Sequence, residues 1–142
     1  MQILRTTFYD QSHYEDVVRL LGQLTSRTIS FSEADYRVLV ASSNNPFFLL
    51  LDDGRVIGML TVGVYLSPTG GKAWIEDVVV DKMFRGRGLG RKLVAHAIEY
   101  CKSQGINTLM LTSNPKRVAA NALYQSLGFE RKETNVYKMD LL

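Results

Sequence analysis

Residues 78 to 94 read VVVDKMFRGRGLGRKLV, placing Gly86, Gly88 and Gly90 among Arg85, Arg87 and Arg91, between a β-branched run and a helical pattern. From Lys82 to Lys92 the basic residues are Lys82, Arg85, Arg87, Arg91 and Lys92, with no acid among them. A strand that turns directly into a helix leaves the first backbone N–H groups of that helix unpaired. Together with the helix dipole, these groups form an anion site. The glycines remove side chains that would hold a bulky phosphate away, and they permit positive φ. The arginines add charge at the same place. The chemistry of this stretch is retention of a diphosphate. A Walker loop would need a glycine where Arg91 stands, five places after Gly86, and the dinucleotide fingerprint would need its third glycine at that same residue. What stands is R-G-R-G-L-G, a [QR]-x-x-G-x-[GA] pattern with Arg85 first, Gly88 fourth and Gly90 sixth.

Other residues of chemical interest have plainer readings. Glu76 and Asp77 lie on the strand before the loop; on a regular strand Glu76 shares a face with Val78 and Val80, and Asp77 and Asp81 point the other way. Cys101 falls on an apolar helical stripe with Leu89, Leu93 and Ala97 and reads as a core thiol. His13 and His96 have no partner at metal-ligand spacing, so no metal site is expected. Trp74 and the tyrosines read as core or pocket wall.

The elements that position these groups follow from periodicity and breakers. MQILRTTFY reads as a first strand, SHYEDVVRLLGQLT as a helix capped by Ser12, and SEADYRVLVASS as a second helix ended by SSNNP. Two apolar runs around Asp53-Gly54 form a hairpin, SPTGGK a loop, and AWIEDVVVD a strand into the glycine loop. From Leu89 to Lys102 the period changes to 3.6, and Gly105 closes that helix before the strand INTLMLTS. NPKRVAANALYQSLGF carries Asn114 as cap, Pro115 at the first helical position and Gly128 past the end; two short strands are expected around FERKETNVYKMDL. Residues 73 to 112 then form a βαβ unit with parallel strands, and the preceding meander is antiparallel. The expected fold is α/β (α+β): a mixed, mostly antiparallel sheet with a central parallel βαβ unit and helices on both faces, as one domain over residues 1–142.

In this order, IEDVVVDKMFRGRGLG, an amphipathic helix and NPKRVAANALYQSLGF, the chain resembles the GNAT superfamily of acyl-CoA-dependent N-acyltransferases. The resemblance covers roughly the C-terminal half, with matching strand order upstream. It implies that Arg85, Gly86, Arg87, Gly88, Leu89, Gly90 and Arg91 bind the diphosphate of acetyl-CoA, largely through main-chain N–H groups. It also implies that Val78, Val79 and Val80 lie beside the pantetheine arm as a pseudo-strand. Asn121 and Tyr124, three apart on one helix face, would serve the thiol end. By the same resemblance Tyr124 is the general acid that protonates the departing sulfur; the plainer alternative is a packed interface tyrosine. Glu76 is the candidate base and equally a candidate for a structural salt bridge, with Asp77 or an ordered water as alternatives.

The implied activity is transfer of an acetyl group from acetyl-CoA to a primary amine of a small molecule or protein, without an acyl-enzyme. The alternative is a non-catalytic acyl-CoA-binding sensor or interaction module. The chain has 142 residues, net charge +3 and a pI near 9.1, which suits an anionic partner without choosing its kind. A nucleic-acid reading rests on the basic loop alone, and none is expected as partner. The N-terminus lacks a signal-peptide core, no run is long enough for a membrane span, and the one cysteine cannot form an internal disulfide, so cytoplasmic residence is expected. The acceptor is expected against the first two helices, VGVYLSPTGG and ETNVYKM, which carry no decodable motif; a homodimer is an open possibility.

Overall fold

A computed structural model describes residues 1–142, which divide into two compact units, Met1–Thr112 and Ser113–Leu142. In the first unit the elements run β1 (Gln2–Thr6), α1 (Gln11–Leu24), α2 (Glu33–Ala41), β2 (Phe47–Asp52), β3 (Arg55–Ser67), β4 (Gly70–Val80), a single 3₁₀ turn (Lys82–Phe84), α3 (Leu89–Ser103) and β5 (Thr108–Met110). The strands form one sheet in chain order, antiparallel from β1 to β4, with β5 parallel to β4 at one edge.

Local chemistry explains most of these boundaries. Asp53 and Gly54 take φ of 49° and 78°, the two positive values of a type I′ turn, and join Asp52 to its partner Arg55. Ser32 and Asp35 form a reciprocal capping box at the start of α2. The cap of α1 is Asp10 rather than the expected Ser12: Asp10 Oδ1 accepts from the His13 N–H at 3.0 Å and from the Ser12 hydroxyl at 2.7 Å. The SPTGGK loop shrinks to Pro68 and Thr69, because Gly70, Gly71 and Lys72 pair with Ser67, Leu66 and Tyr65 and lengthen the hairpin.

Both faces of the sheet are covered. Phe47 through Leu51 are all buried, the pattern of a strand with no solvent side. On one face Val17 and Leu20 of α1 and Tyr36 and Val40 of α2 cluster with Leu49, Met59 and Val79. On the other, Leu89, Leu93, Ala97 and Cys101 are buried along α3, as the four-residue spacing predicts. Gly58 permits that approach. A Cβ there would lie 3.1 Å from Leu93 Cδ1 and 3.3 Å from the Val79 carbonyl oxygen, tighter than nearly all real contacts. Helix α3 ends in a Schellman motif, with the Ile106 N–H on the Cys101 carbonyl and the Gly105 N–H on that of Lys102.

The second unit holds α4 (Val118–Ser126). Its helix starts later than expected. Asn114 is not the cap; its carbonyl accepts from the Arg117 N–H and its side chain from the Lys116 N–H, a turn preceding the helix. The two strands expected around FERKETNVYKMDL do not form: residues 130–142 have no ladder partner and are exposed throughout. The run ERKETN offers no apolar alternation to bury, and an isolated two-stranded hairpin is at best marginal in water.

Candidate active site

In the first unit, β4 leads into the glycine loop through a tightly held corner. The Asp81 N–H donates to the Ile57 carbonyl at 2.7 Å, and the Asp81 side chain and carbonyl accept from the Met83 and Phe84 N–H groups. Asp81 is buried and ion-paired with Arg19 of α1. Gln23, one turn further along α1, accepts from the Lys82 N–H at 2.8 Å. Arg19 also donates to the Val56 carbonyl and reaches Asp16, and Asp16 in turn binds Arg55 through both oxygens and accepts from the Val56 N–H at 3.0 Å. Hydrogen bonds from Met83 and Arg19 hold the Asp81 carboxyl below its ordinary value, outweighing the burial that would raise it. The Arg55 and Val56 donors do the same for Asp16, again against burial. This network ties α1 and the β2–β3 corner to the start of the loop. Sequence reasoning missed it; the available signal was Asp16 and Arg19, an acid and a base one helical turn apart on α1.

Past that corner the loop is exposed at Arg85, Gly86, Arg87 and Gly88. Gly86 and Gly88 have φ of 79° and 72°; a Cβ at either would meet nothing within 4 Å, so backbone conformation rather than space requires glycine. Gly88 stands at the N-cap of α3 with no side-chain cap, so the first N–H groups of the helix face outward. Arg85 Nε folds back to the Val80 carbonyl at 3.1 Å, and the Arg87 guanidinium lies 5.0 Å from the Phe84 ring centre. The Leu89 side chain is buried, which leaves only its backbone for a ligand.

Beside the loop, β4 is paired with β3 on one edge through Val79 and Val80, but with β5 on the other edge only over Lys72–Trp74. From Ile75 to Val80 that second edge carries main-chain groups without a strand partner. Such an edge accepts an extended ligand as an added strand. The strand also contains a β-bulge. Val79 faces Met59 and Glu76 faces Thr61, so three steps on β4 match two on β3, and Asp77 takes up the extra residue at φ 52°. The bulge corrects the expected alternation: Glu76 lies on the face of Val79, not with Val80. Asp77 tolerates this conformation better than a bulky residue would. The Glu76 residue is exposed, yet partial desolvation of its carboxyl raises the pKa above the usual value, with the adjacent Asp77 charge adding to the shift.

In the second unit, the LGF motif builds a Schellman cap around Tyr124. The Phe129 N–H donates to the Tyr124 carbonyl at 3.0 Å, the Gly128 N–H donates to that of Gln125, and the Tyr124 and Phe129 rings meet edge-on. Tyr124 is 8% exposed. Asn121 Nδ2 donates to the Asn114 and Arg117 carbonyls at 2.9 and 2.8 Å, fixing the turn before α4 and leaving Oδ1 as its available acceptor. No group of acidic, histidine or cysteine side chains suits a metal ion.

The model of the acetyltransferase (GNAT) family matches residues 14–129. This chain belongs to the GNAT family. Over 101 residues it is 32% identical to an uncharacterized N-acetyltransferase of Methanocaldococcus jannaschii, covering 69% of this chain and 45% of that protein. Over 130 residues it is 28% identical to glucosamine 6-phosphate N-acetyltransferase of Arabidopsis thaliana, covering 85% of each. The chain thus spans less than half the length of the archaeal relative. The GNAT fold is equally clear in space: an aminoglycoside acetyltransferase from an uncultured soil metagenomic sample superposes with a TM-score of 0.83 at 22% identity, covering 99% of this chain and 95% of that one.

Proposed function

We infer that the chain is an N-acetyltransferase that moves the acetyl group of acetyl-CoA directly to a primary amine. The observation that carries this reading is the unpaired edge of β4 from Ile75 to Val80, continuing into the uncapped start of α3 at Gly88. The edge along Val78, Val79 and Val80 offers its outward-facing main-chain groups, the Arg85-bound Val80 carbonyl aside, to a pantetheine amide arm. The loop from Arg85 to Arg91 offers N–H groups and charge to a diphosphate. Neither site asks for a metal. The family model crosses both compact units, which supports treating residues 1–142 as a single acetyltransferase domain. Cytoplasmic residence is part of the same proposal; no helix is long and apolar enough to cross a membrane.

When bound, acetyl-CoA supplies a thioester whose carbonyl carbon accepts the amine and whose sulfur leaves with the C–S electron pair. Glu76 takes a proton from the acceptor ammonium, since only the neutral amine has a lone pair to give. Its raised pKa brings the carboxylate closer in basicity to that task. Tyr124 gives its phenolic proton to the departing sulfur and is restored by the second proton of the new amide nitrogen through solvent. Asn121 orients the thiol end through Oδ1. The test is release of free CoA thiol with a panel of amines: an amine-dependent rate supports transfer. Tight acetyl-CoA binding with no thiol release on any amine, together with unchanged behaviour of Tyr124→Phe, would favour the non-catalytic acyl-CoA module.

A further inference from the structure

The register of the long β3–β4 hairpin places Thr61, Gly63 and Tyr65 opposite Glu76, Trp74 and Lys72, and opposed residues of an antiparallel pair share a face. Glu76, Trp74 and Lys72 share this row by simple alternation, the register being unbroken from Glu76 to Gly70 and the bulge falling beyond it at Asp77. Trp74 is half-buried and its indole N–H donates to the Tyr65 hydroxyl at 3.3 Å, so two rings are held together as one wall. Directly across from Trp74 stands Gly63, where even a Cβ would meet nothing nearer than Asn45 Nδ2 at 3.8 Å. The missing side chain leaves a gap beside the indole. The one cation of the row, Lys72, is turned to the Ser67 hydroxyl at 2.9 Å at the far end of the hairpin, away from the Glu76 and Asp77 charges.

The geometry points to an acceptor whose amine is carried on a ring: the ring lies against Trp74 in the gap above Gly63, and the ammonium reaches the Glu76 carboxylate. This deepens the N-acetyltransferase reading and rests on it for the reaction that follows binding. Same-face neighbours on a strand lie about 6.8 Å apart, the span of a six-membered ring and its exocyclic amine. Negative charge at Glu76 and Asp77 selects the cation, and the Trp74–Tyr65 wall contributes the apolar and aromatic contact. A linear amine keeps the charge contact and forfeits the wall. Trp74 and Tyr65 are therefore specificity-determining residues.

Trp74 is the sole tryptophan, so its emission reports on this wall directly. Benzylamine, glucosamine and n-butylamine would be titrated separately into the full-length protein without acetyl-CoA. The expected result is a saturable emission change with one or both ring amines, with n-butylamine weaker by about tenfold (about 1.4 kcal/mol). Glu76→Gln, at an exposed position that leaves the core intact, should weaken the ring-amine response at least as much. An equal response to n-butylamine, or no saturable change with either ring amine, would overturn the assignment. A ring-amine response in a protein that fails to bind acetyl-CoA would sink the acetyltransferase reading and leave the ring site standing. In turnover, Trp74→Ala should lower kcat/KM for the ring amine with the KM for acetyl-CoA unchanged, and Trp74→Phe should restore it; a drop shared equally by n-butylamine would count against the wall.

Discussion

Tyr124 and Phe129 close the end of α4 on each other: the Phe129 N–H caps the Tyr124 carbonyl at 3.0 Å, and the two rings meet with centroids 6.1 Å apart at 74°. The residue proposed as general acid is thus clamped at both its backbone and its ring, and the LGF signature has a physical purpose. Tyr124→Phe keeps ring and clamp and removes only the hydroxyl. Its turnover should fall by about 10²-fold or more, with acetyl-CoA affinity and thermal stability unchanged. Stopped-assay thiol release and calorimetry on one preparation would check this; unchanged turnover removes the acid role. Gly128→Ala acts differently, forcing a side chain onto φ of 104° and destabilising the cap by about 1–2 kcal/mol.

Arg19 lies on α1, yet its partner Asp81 and its neighbour Gln23 hold the first residues of the glycine-loop approach. Arg19→Met leaves Asp81 buried without its cation and loosens residues 81–84. The KM for acetyl-CoA should rise about tenfold while kcat at saturation changes little, because misplaced anion donors weaken binding before chemistry. Arg19→Lys should recover part of the loss. Equal falls in kcat and in affinity would point to general destabilisation instead.

Asp77 raises the Glu76 pKa, so the two carboxylates make a signed prediction. The acid limb of kcat/KM should lie above the ordinary glutamate value of 4.5. Asp77→Asn removes a negative neighbour, makes ionised Glu76 easier to form and should move that limb to lower pH. Glu76→Gln should abolish it. A limb unmoved by Asp77→Asn would assign the proton to another group.

Asp16 is buried among Arg55, Arg19 and the Val56 N–H, and its pKa is lowered in the folded state. A depressed carboxyl stabilises the fold above its unfolded value of 3.8 and loses that contribution as pH falls through the folded value. Denaturant midpoints should be flat near neutrality and drop below about pH 4. Asp16→Ala should cost about 1–3 kcal/mol by orphaning the Val56 N–H, while the half-exposed arginines regain water. The acid-side drop should shrink in that variant, and an unchanged drop would contradict the assignment.

What could be read from residues alone was whatever depends on neighbours in sequence. The Asp53-Gly54 turn, the α3 stripe from Leu89 to Cys101, the Ser32 start of α2 and the glycine loop are all local, and each stands where its residues put it. The bulge at Asp77 was invisible because register belongs to two strands at once; its one-residue shift puts Val79, and not Val78 and Val80, on the face of Glu76. The Asp16–Arg19–Asp81 network joins positions separated by as many as 65 residues in number; the spacing offers only its local half, the Asp16–Arg19 pair on one turn of α1, and nothing points to Asp81. The C-terminal strands failed for the same reason, since a strand exists only where a partner accepts it. The fold class was therefore legible and the placement of the candidate base was not.

The most direct test of the account is calorimetric titration of acetyl-CoA into the purified protein, with Gly88→Glu alongside. Glutamate at Gly88 brings a side chain to φ of 72° and a negative charge to the start of α3. The wild type should bind with a Kd in the micromolar range, about −8 kcal/mol, and the variant should show no measurable heat while remaining folded. A folded wild type that binds no acetyl-CoA, or a Gly88→Glu variant that binds it equally well, would contradict the assignment of the glycine loop and the β4 edge as the acetyl-CoA site.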